Sequence, residues 1–207
     1  MWYNLSKRSD FKKVRIIAGT AKGRTLKSRK GLETRPTLDR VREAIFNILG
    51  EKIINARFLD LFAGSGAIGL EALSRGAACC YFNDKNKEAC LIIKENLTKC
   101  AFKQPALVYK MDSFAFISDL AQKNTVSFDI IYIDPPYEAD FYLLLFQRLG
   151  EAKLLGVEGI IIIETDKKAS LQEEYSLVQK ENRLMKLFKK KQYGDTIVWF
   201  YKLCGEE

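Results

Sequence analysis

Two stretches of the chain combine residue types that could handle a reactive ligand. The first, FLDLFAGSGAIG (58–69), sets Gly64, Gly66 and Gly69 at G-x-G-x-x-G spacing. It follows an apolar run and opens an amphipathic one, so glycine can turn the chain sharply and let a ligand approach a helix N-terminus. The second, YIDPPY (132–137), ends the apolar run FDII with an acid, two prolines and a tyrosine. Prolines fix the backbone and offer no competing N–H. The Pro135 carbonyl is therefore presented rigidly beside the Asp134 carboxylate, and Tyr137 adds a flat face for stacking. Two acceptors around one nitrogen suit the exocyclic amino group of a nucleobase. They take its two N–H bonds, favour a pyramidal nitrogen and aim its lone pair at an electrophile. Such a site works by positioning and electrostatics and needs no strong general base, which suits a chain without histidine.

A glycine loop of this spacing serves NAD, FAD and S-adenosylmethionine alike. Asp84 ends the second apolar run, where an acid accepts ribose hydroxyls. Asp60 immediately precedes the loop, where a carboxylate would crowd a pyrophosphate but suits the charged amino end of a methionine. After the third run comes MDS, with Asp112 placed to accept from an adenine amino group and Ser113 beside it. Together with the fourth run ending in DPPY, these acids favour S-adenosylmethionine over a dinucleotide.

The elements that must hold these residues read as an α/β sheet. Strands are expected near 57–62, 78–83, 106–110, 128–133 and 159–164, separated by AIGLEALSRG, NKEACLIIKENLTKC, SFAFISDLAQ and FYLLLFQRLG, whose apolar residues recur at helical spacing. This alternation predicts a Rossmann-like, mostly parallel sheet covered by helices on both faces. The ending, RLMKLFKKKQYGDTIVWFYKL, reads as two strands joined at Gly194-Asp195, too close for a crossover helix and so antiparallel. Ahead of the sheet, VRIIAGTAKGRTLKS (14–28) predicts a small β-hairpin. RPTLDRVREAIFNILG predicts a helix, with Thr37 as cap, Asp39 in the first turn, Leu38, Val41, Ile45 and Ile48 on one face, and Gly50 ending it.

A length of 207 residues predicts one well-cored domain with a small appendage. The longest aliphatic run, GIIIIE, is far short of a membrane span, and the first residues lack the apolar core of a secretory signal, so a cytoplasmic protein is expected. Five cysteines without a C-x-x-C pair, and no histidine, argue for free thiols and no metal site. They also exclude catalysis built on imidazole. The charge is uneven. Residues 1–57 hold 15 lysines and arginines against five acids, a net +10, and the rest of the chain nets −2. A polyanion met by the N-terminal part follows from that asymmetry.

At this point the sequence resembles the RsmD family of methyltransferases, which modify the exocyclic N2 of one guanine in 16S ribosomal RNA. The likeness runs from RIIAGTAKGRTL through TRPTLDRVREAIFNIL, FLDLFAGSGAIGLEALSRGA and YIDPPY to YGDT, and the helix ahead of the glycine loop is its most specific part. The resemblance implies a seven-stranded methyltransferase sheet ending in an antiparallel hairpin. A basic N-terminal unit, residues 1–50, would bind RNA and cover the cofactor, and residues 51–207 would form the methyltransferase domain. It implies S-adenosylmethionine as cofactor, leaving as S-adenosylhomocysteine. Asp60, Phe62, Gly64, Ser65 and Gly66 would surround its methionine part, Asp84 its ribose with Lys85 in the same set, and Asp112 with Ser113 its adenine. Thr37 and Arg40 would fold over it. Asp134, Pro135, Pro136 and Tyr137 would hold the guanine, and Arg15, Lys22, Arg24, Lys27, Arg29, Lys30, Arg35 and Arg42 the RNA phosphates. Related proteins often carry Glu where this chain has Asp84, which touches only the detail of ribose contact. The partner implied is 16S ribosomal RNA in a small subunit or its assembly intermediate, met by a monomer away from membranes. Another RNA, or adenine N6 in DNA, remains open as the substrate, although the chain has no room for the recognition insertion usual in DNA enzymes. Pyrimidine C5 chemistry would need a cysteine after the fourth strand, and none is there. A binding module without catalysis would predict a damaged loop or DPPY.

Overall fold

The computed structural model describes residues 14–28, 36–123, 126–135, 139–178 and 183–204, with backbone alone for 36–38, 139–140, 177–178 and 183. In chain order these give α1 (Pro36–Leu49), β1 (Arg57–Asp60), α2 (Ala67–Ser74), β2 (Cys79–Asn83), α3 (Lys87–Cys100), β3 (Ala106–Tyr109) and α4 (Ser113–Lys123). There follow β4 (Phe128–Ile133), α5 (Ala139–Glu151), β5 (Leu155–Asp166), β6 (Glu174–Val178), β7 (Arg183–Tyr193) and β8 (Thr196–Cys204). The strands form one sheet in the order β3-β2-β1-β4-β5-β8-β7-β6. The first five are parallel and β8, β7 and β6 are antiparallel. The mostly parallel sheet with an antiparallel end is as expected, with eight strands rather than seven. The extra strand, β6, is only EYSLV, too short to declare itself by pattern. It is fixed by pairing with β7 and by the Tyr175 ring stacked on Phe146 of α5, centroids 4.2 Å apart.

The alternation that predicted helices also sets the two cores. On one face α1, α2 and α3 bury Val41, Ile45, Phe46, Leu70, Leu73 and Ile93 against Phe58, Ile130, Ile162 and Phe200. On the other, α4 and α5 bury Phe116, Leu120, Tyr142 and Phe146 against Leu59, Ile131, Ile161 and Trp199. The starts of α3 and α4 are satisfied by side chains. Asn86 Oδ1 accepts from the N–H groups of Glu88 and Ala89, and Asp112 Oδ1 from those of Phe114 and Ala115.

The N-terminal segment turns back on itself as expected, with a single bridge between Arg15 and Thr25 and the Leu26 N–H donating to the Val14 carbonyl at 2.8 Å. It shares the core of the sheet through Val14, Ile16 and Leu26. Two buried polar residues of α2 fasten it. Glu71 accepts from the N–H groups of Ile17 (2.7 Å) and Ala18 (3.0 Å), and Ser74 Oγ donates to the Ala18 carbonyl (2.6 Å). Here Gly19 is required: at φ +81° a side chain is strained, and a Cβ would lie 1.8 Å from the Ser74 carbonyl oxygen.

Candidate active site

The glycine loop links β1 to α2. Gly66, at φ +78° in the left-handed region, caps the helix, and Gly69 lets α2 press on β2, since a Cβ there would stand 2.3 Å from the Phe82 ring. The Gly69 N–H donates to Asp60 Oδ2 at 3.1 Å. Asp60 is 1% exposed, and its other oxygen, Oδ1, finds no hydrogen-bond partner among the described residues. Burial pushes its carboxyl up to about 7, the Gly69 hydrogen bond opposes the rise, and the charge of Asp84 adds to it.

Asp84 ties the loop from the other side. Its Oδ2 accepts from the Gly64 N–H and its Oδ1 from the Asn86 N–H, both at 2.8 Å. The short side chain thus fastens the glycine loop to the start of α3, and each oxygen keeps a second lone pair. Asn96, fully buried on α3, accepts from the Lys27 N–H and donates to the carbonyls of Lys27 and Ser65, so one amide holds the N-terminal segment and the glycine loop together.

Two cavities of about 220 Å³ each meet at Phe62 and Asp134. The first is lined by Asp60, Gly64, Ser65, Tyr132, Glu164 and Arg42 among others, the second by Asn83, Asp84, Lys85, Met111, Asp112 and Ser113. The expected acids therefore gather along the C-terminal ends of β1 to β4, where open α/β sheets hold ligands. Asp112, which lines the second cavity, caps α4 through Oδ1.

Asp134 follows β4 and opens to solvent at the junction of the cavities. The protein around it, then the charges of Glu164 and Asp60, hold its carboxyl above the usual range. Water at its open side screens part of this effect. Pro135 is buried; Pro136 and Tyr137 lie outside the described residues, as does the Thr37 side chain. Glu164, at the corresponding end of β5, accepts from the Tyr132 hydroxyl at 2.5 Å and is itself raised by burial. Neither Glu164 nor Tyr132 was expected in the site. The signal for Glu164 was its place at the end of the IIIIE run, on the same edge as Asp134.

The expected phosphate contacts divide. Arg15, Lys22 and Arg24 are exposed, but the Arg24 guanidinium donates to the Lys99 carbonyl and Lys27 pairs with Glu95 at 2.7 Å. Arg29, Lys30 and Arg35 lie outside the described residues. Arg40 is exposed and borders a groove with Arg15 and Lys22. Arg42 departs from expectation: at 4% exposed it is closed off from any phosphate backbone, donating to the Arg15 carbonyl (2.8 Å) and to Asp39 (2.9 Å). Its charge is balanced by Asp39 and the buried Glu71, so it joins α1 to the N-terminal segment. The five thiols are free, and burial raises those of Cys79, Cys80, Cys90 and Cys100, which suits inert packing.

The family model described as Conserved hypothetical protein 95 matches residues 14–202. The chain is 38% identical to YlbH of Bacillus subtilis strain 168 over 93% of its own length and 100% of that protein. It is also 38% identical to the ribosomal RNA small subunit methyltransferase D of Haemophilus influenzae, over 76% of this chain and 81% of that one. Among solved structures it resembles yhhF of Escherichia coli, with a TM-score of 0.78, 28% identity and coverage of 94% of this chain and 100% of that chain.

Proposed function

The chain belongs to the Conserved hypothetical protein 95 family, which takes in the ribosomal RNA small subunit methyltransferase D proteins, and from that premise we propose that it methylates the exocyclic N2 of a guanine in 16S ribosomal RNA. The observation that carries this reading is the pair of cavities joined at Asp134, one of them holding a buried carboxylate oxygen without a partner among the described residues. That oxygen, Asp60 Oδ1, fits the ammonium of a methionine moiety. Phe62, Gly64, Ser65 and Gly66 surround the same part, and Thr37 and Arg40 belong to the helix start that covers it. In the second cavity the remaining lone pairs of Asp84 fit ribose hydroxyls, with Lys85 beside them, and Asp112 with Ser113 fits the adenine amino group. S-adenosylmethionine supplies an electrophilic methyl carried on a positive sulfonium.

The chain's own part is positioning. Asp134 and the Pro135 carbonyl accept hydrogen bonds from the two amino N–H groups of the guanine, Pro136 stiffens the turn and Tyr137 stacks on the base; the nitrogen's lone pair takes the methyl, the sulfonium becomes a neutral thioether, and the surplus amino proton leaves to water. The ionised form of Asp134 is the acceptor, and Glu164 next to it keeps the site negative where a cationic cofactor must enter. Exposed Arg15 and Lys22 at the groove beside α1, with Arg29, Lys30 and Arg35, serve phosphates, while residues 51–207 carry the reaction. The protein acts as a monomer in the cytoplasm, on a small subunit or its assembly intermediate.

The test is transfer of labelled methyl from S-adenosylmethionine to naked small-subunit RNA and to subunits lacking the modification, with the product nucleoside identified by mass. N2-methylguanosine is expected, and Asp134→Ala should lower transfer at least 100-fold with cofactor affinity near normal. Label in N6-methyladenosine would refute the guanine assignment, and a fully active Asp134→Ala would refute the mechanism.

A further inference from the structure

The antiparallel end of the sheet carries lysines at a place where the charge count of the sheet domain is slightly negative. Lys186, Lys189, Lys190 and Lys191 of β7 and Lys202 of β8 are all exposed. Residues opposite each other in an antiparallel pair share a face. Lys186 stands opposite Lys202, Lys189 opposite Phe200 and Lys191 opposite Val198. Phe200 and Val198 belong to the core beneath α1, so four lysines point to that side of the sheet. The register shift between Leu187 and Lys189 inserts Phe188 there as well. Its ring is 44% exposed and 6.0 Å from that of Phe200. Lys190 takes the other face, over the Trp199 ring.

Strand register connects this face to the cavity. Glu164 pairs with Val198, and Val198 with Lys191. Tyr132 pairs with Ile162, Ile162 with Phe200, and Phe200 with Lys189. Glu164 and Tyr132 line the cavity, and Lys191 lies two strands from Glu164, about 10 Å. The lysines thus begin where the cavity ends, on its own side of the sheet. The bland alternative is edge protection, since β6 pairs with β7 only as far as Lys186 and lysine commonly guards an open strand. An exposed phenylalanine in the middle of such a guard defeats the purpose. A lysine pair directly opposed, Lys186 and Lys202, adds repulsion that Glu174, 3.2 Å from Lys186, offsets only in part. Basic residues interleaved with an exposed aromatic suit single-stranded nucleic acid.

We propose that this face of β7 is a second RNA contact, in which Lys189 and Lys191 take phosphates of the strand flanking the target nucleotide and Phe188 stacks on one of its bases. The inference rests on the RNA methyltransferase reading above and adds a surface outside the N-terminal arm. Its test uses the full chain with Lys189→Glu/Lys191→Glu and, separately, Phe188→Ala, after unchanged melting and S-adenosylmethionine affinity confirm the fold. Binding to small-subunit RNA is measured across salt concentrations, and turnover across RNA concentrations. The lysine variant should flatten the slope of log affinity against log salt by about 1.4, two phosphates at ~0.7 each. It should raise the KM for RNA about tenfold or more and leave kcat within about twofold. Phe188→Ala should weaken binding about fivefold or more. An unchanged slope and KM in the lysine variant would overturn the proposal. If the wild-type protein transfers no methyl to ribosomal RNA, the reading of the site falls by itself. The surface is then judged with poly(U): loss of affinity in the lysine variant supports it, and equal affinity overturns it.

Discussion

Asp60→Asn should make the protein more stable and less able to hold its cofactor. Burial holds the Asp60 carboxyl, ordinarily near 3.8, up to about 7. Once ionised it costs the folded state on the order of 4 kcal/mol, at ~1.4 kcal/mol per pK unit. The sign follows from proton binding. Between about pH 4 and 7 the folded state keeps a proton that the unfolded state has released, so this contribution to stability declines as pH rises through 7 and is constant above it. Asparagine removes the charge, keeps an acceptor for the Gly69 N–H, and leaves its amide where Oδ1 lacked a partner, which returns about 1–3 kcal/mol of the gain. The expected net is a stabilisation of about 1–3 kcal/mol at pH 8 that turns into a destabilisation of about 1–3 kcal/mol near pH 4, where wild-type Asp60 is already neutral and only the cost of the unpartnered amide is left. Thermal melts of the cofactor-free protein at both pH values measure this, and calorimetry at pH 8 should show S-adenosylmethionine affinity reduced at least tenfold, the loss of a charge-assisted contact. A variant that melts no higher than wild type at pH 8, or binds the cofactor equally well, would refute the account of Asp60 as a strained, waiting carboxylate.

Methyl transfer should fall on the acid side, because Asp134 must be ionised to accept a hydrogen bond from the amino group and its carboxyl is held above the usual range. Glu164→Gln removes one neighbouring charge responsible, while its amide oxygen can still accept from the Tyr132 hydroxyl. The acid limb of the rate profile should therefore move to lower pH, and an unmoved limb would separate Glu164 from Asp134. Asn96→Ala strips partners from the Lys27 backbone and the Ser65 carbonyl. It should cost about 1–3 kcal/mol in stability and also weaken S-adenosylmethionine binding. Lower stability with unchanged cofactor affinity would mean that the glycine loop does not depend on this clamp.

What was legible in the sequence is what local chemistry decides. Glycines at 64, 66 and 69 had to turn and closely pack, whatever lay around them. Runs such as FDII and IIIIE could only be buried strands, and an acid followed by two prolines could only leave its strand rigidly. Parallel alternation then sends those ends to one edge, which is why Asp60, Asp84, Asp112 and Asp134 were found together. The tertiary structure decided what depends on neighbours distant in the chain. Glu164 meets Tyr132 across β4 and β5 because the register sets Tyr132 opposite Ile162, two residues before Glu164 on the same face. Arg42 is buried rather than free because Glu71 and the Arg15 carbonyl close around it, and β6 exists because β7 and α5 offer it partners. Lys189 and Lys191 of β7 share a face with the cavity only through the pairing of β5, β8 and β7. A net charge sums over the chain and is blind to faces, whereas strand register fixes which side chains stand side by side.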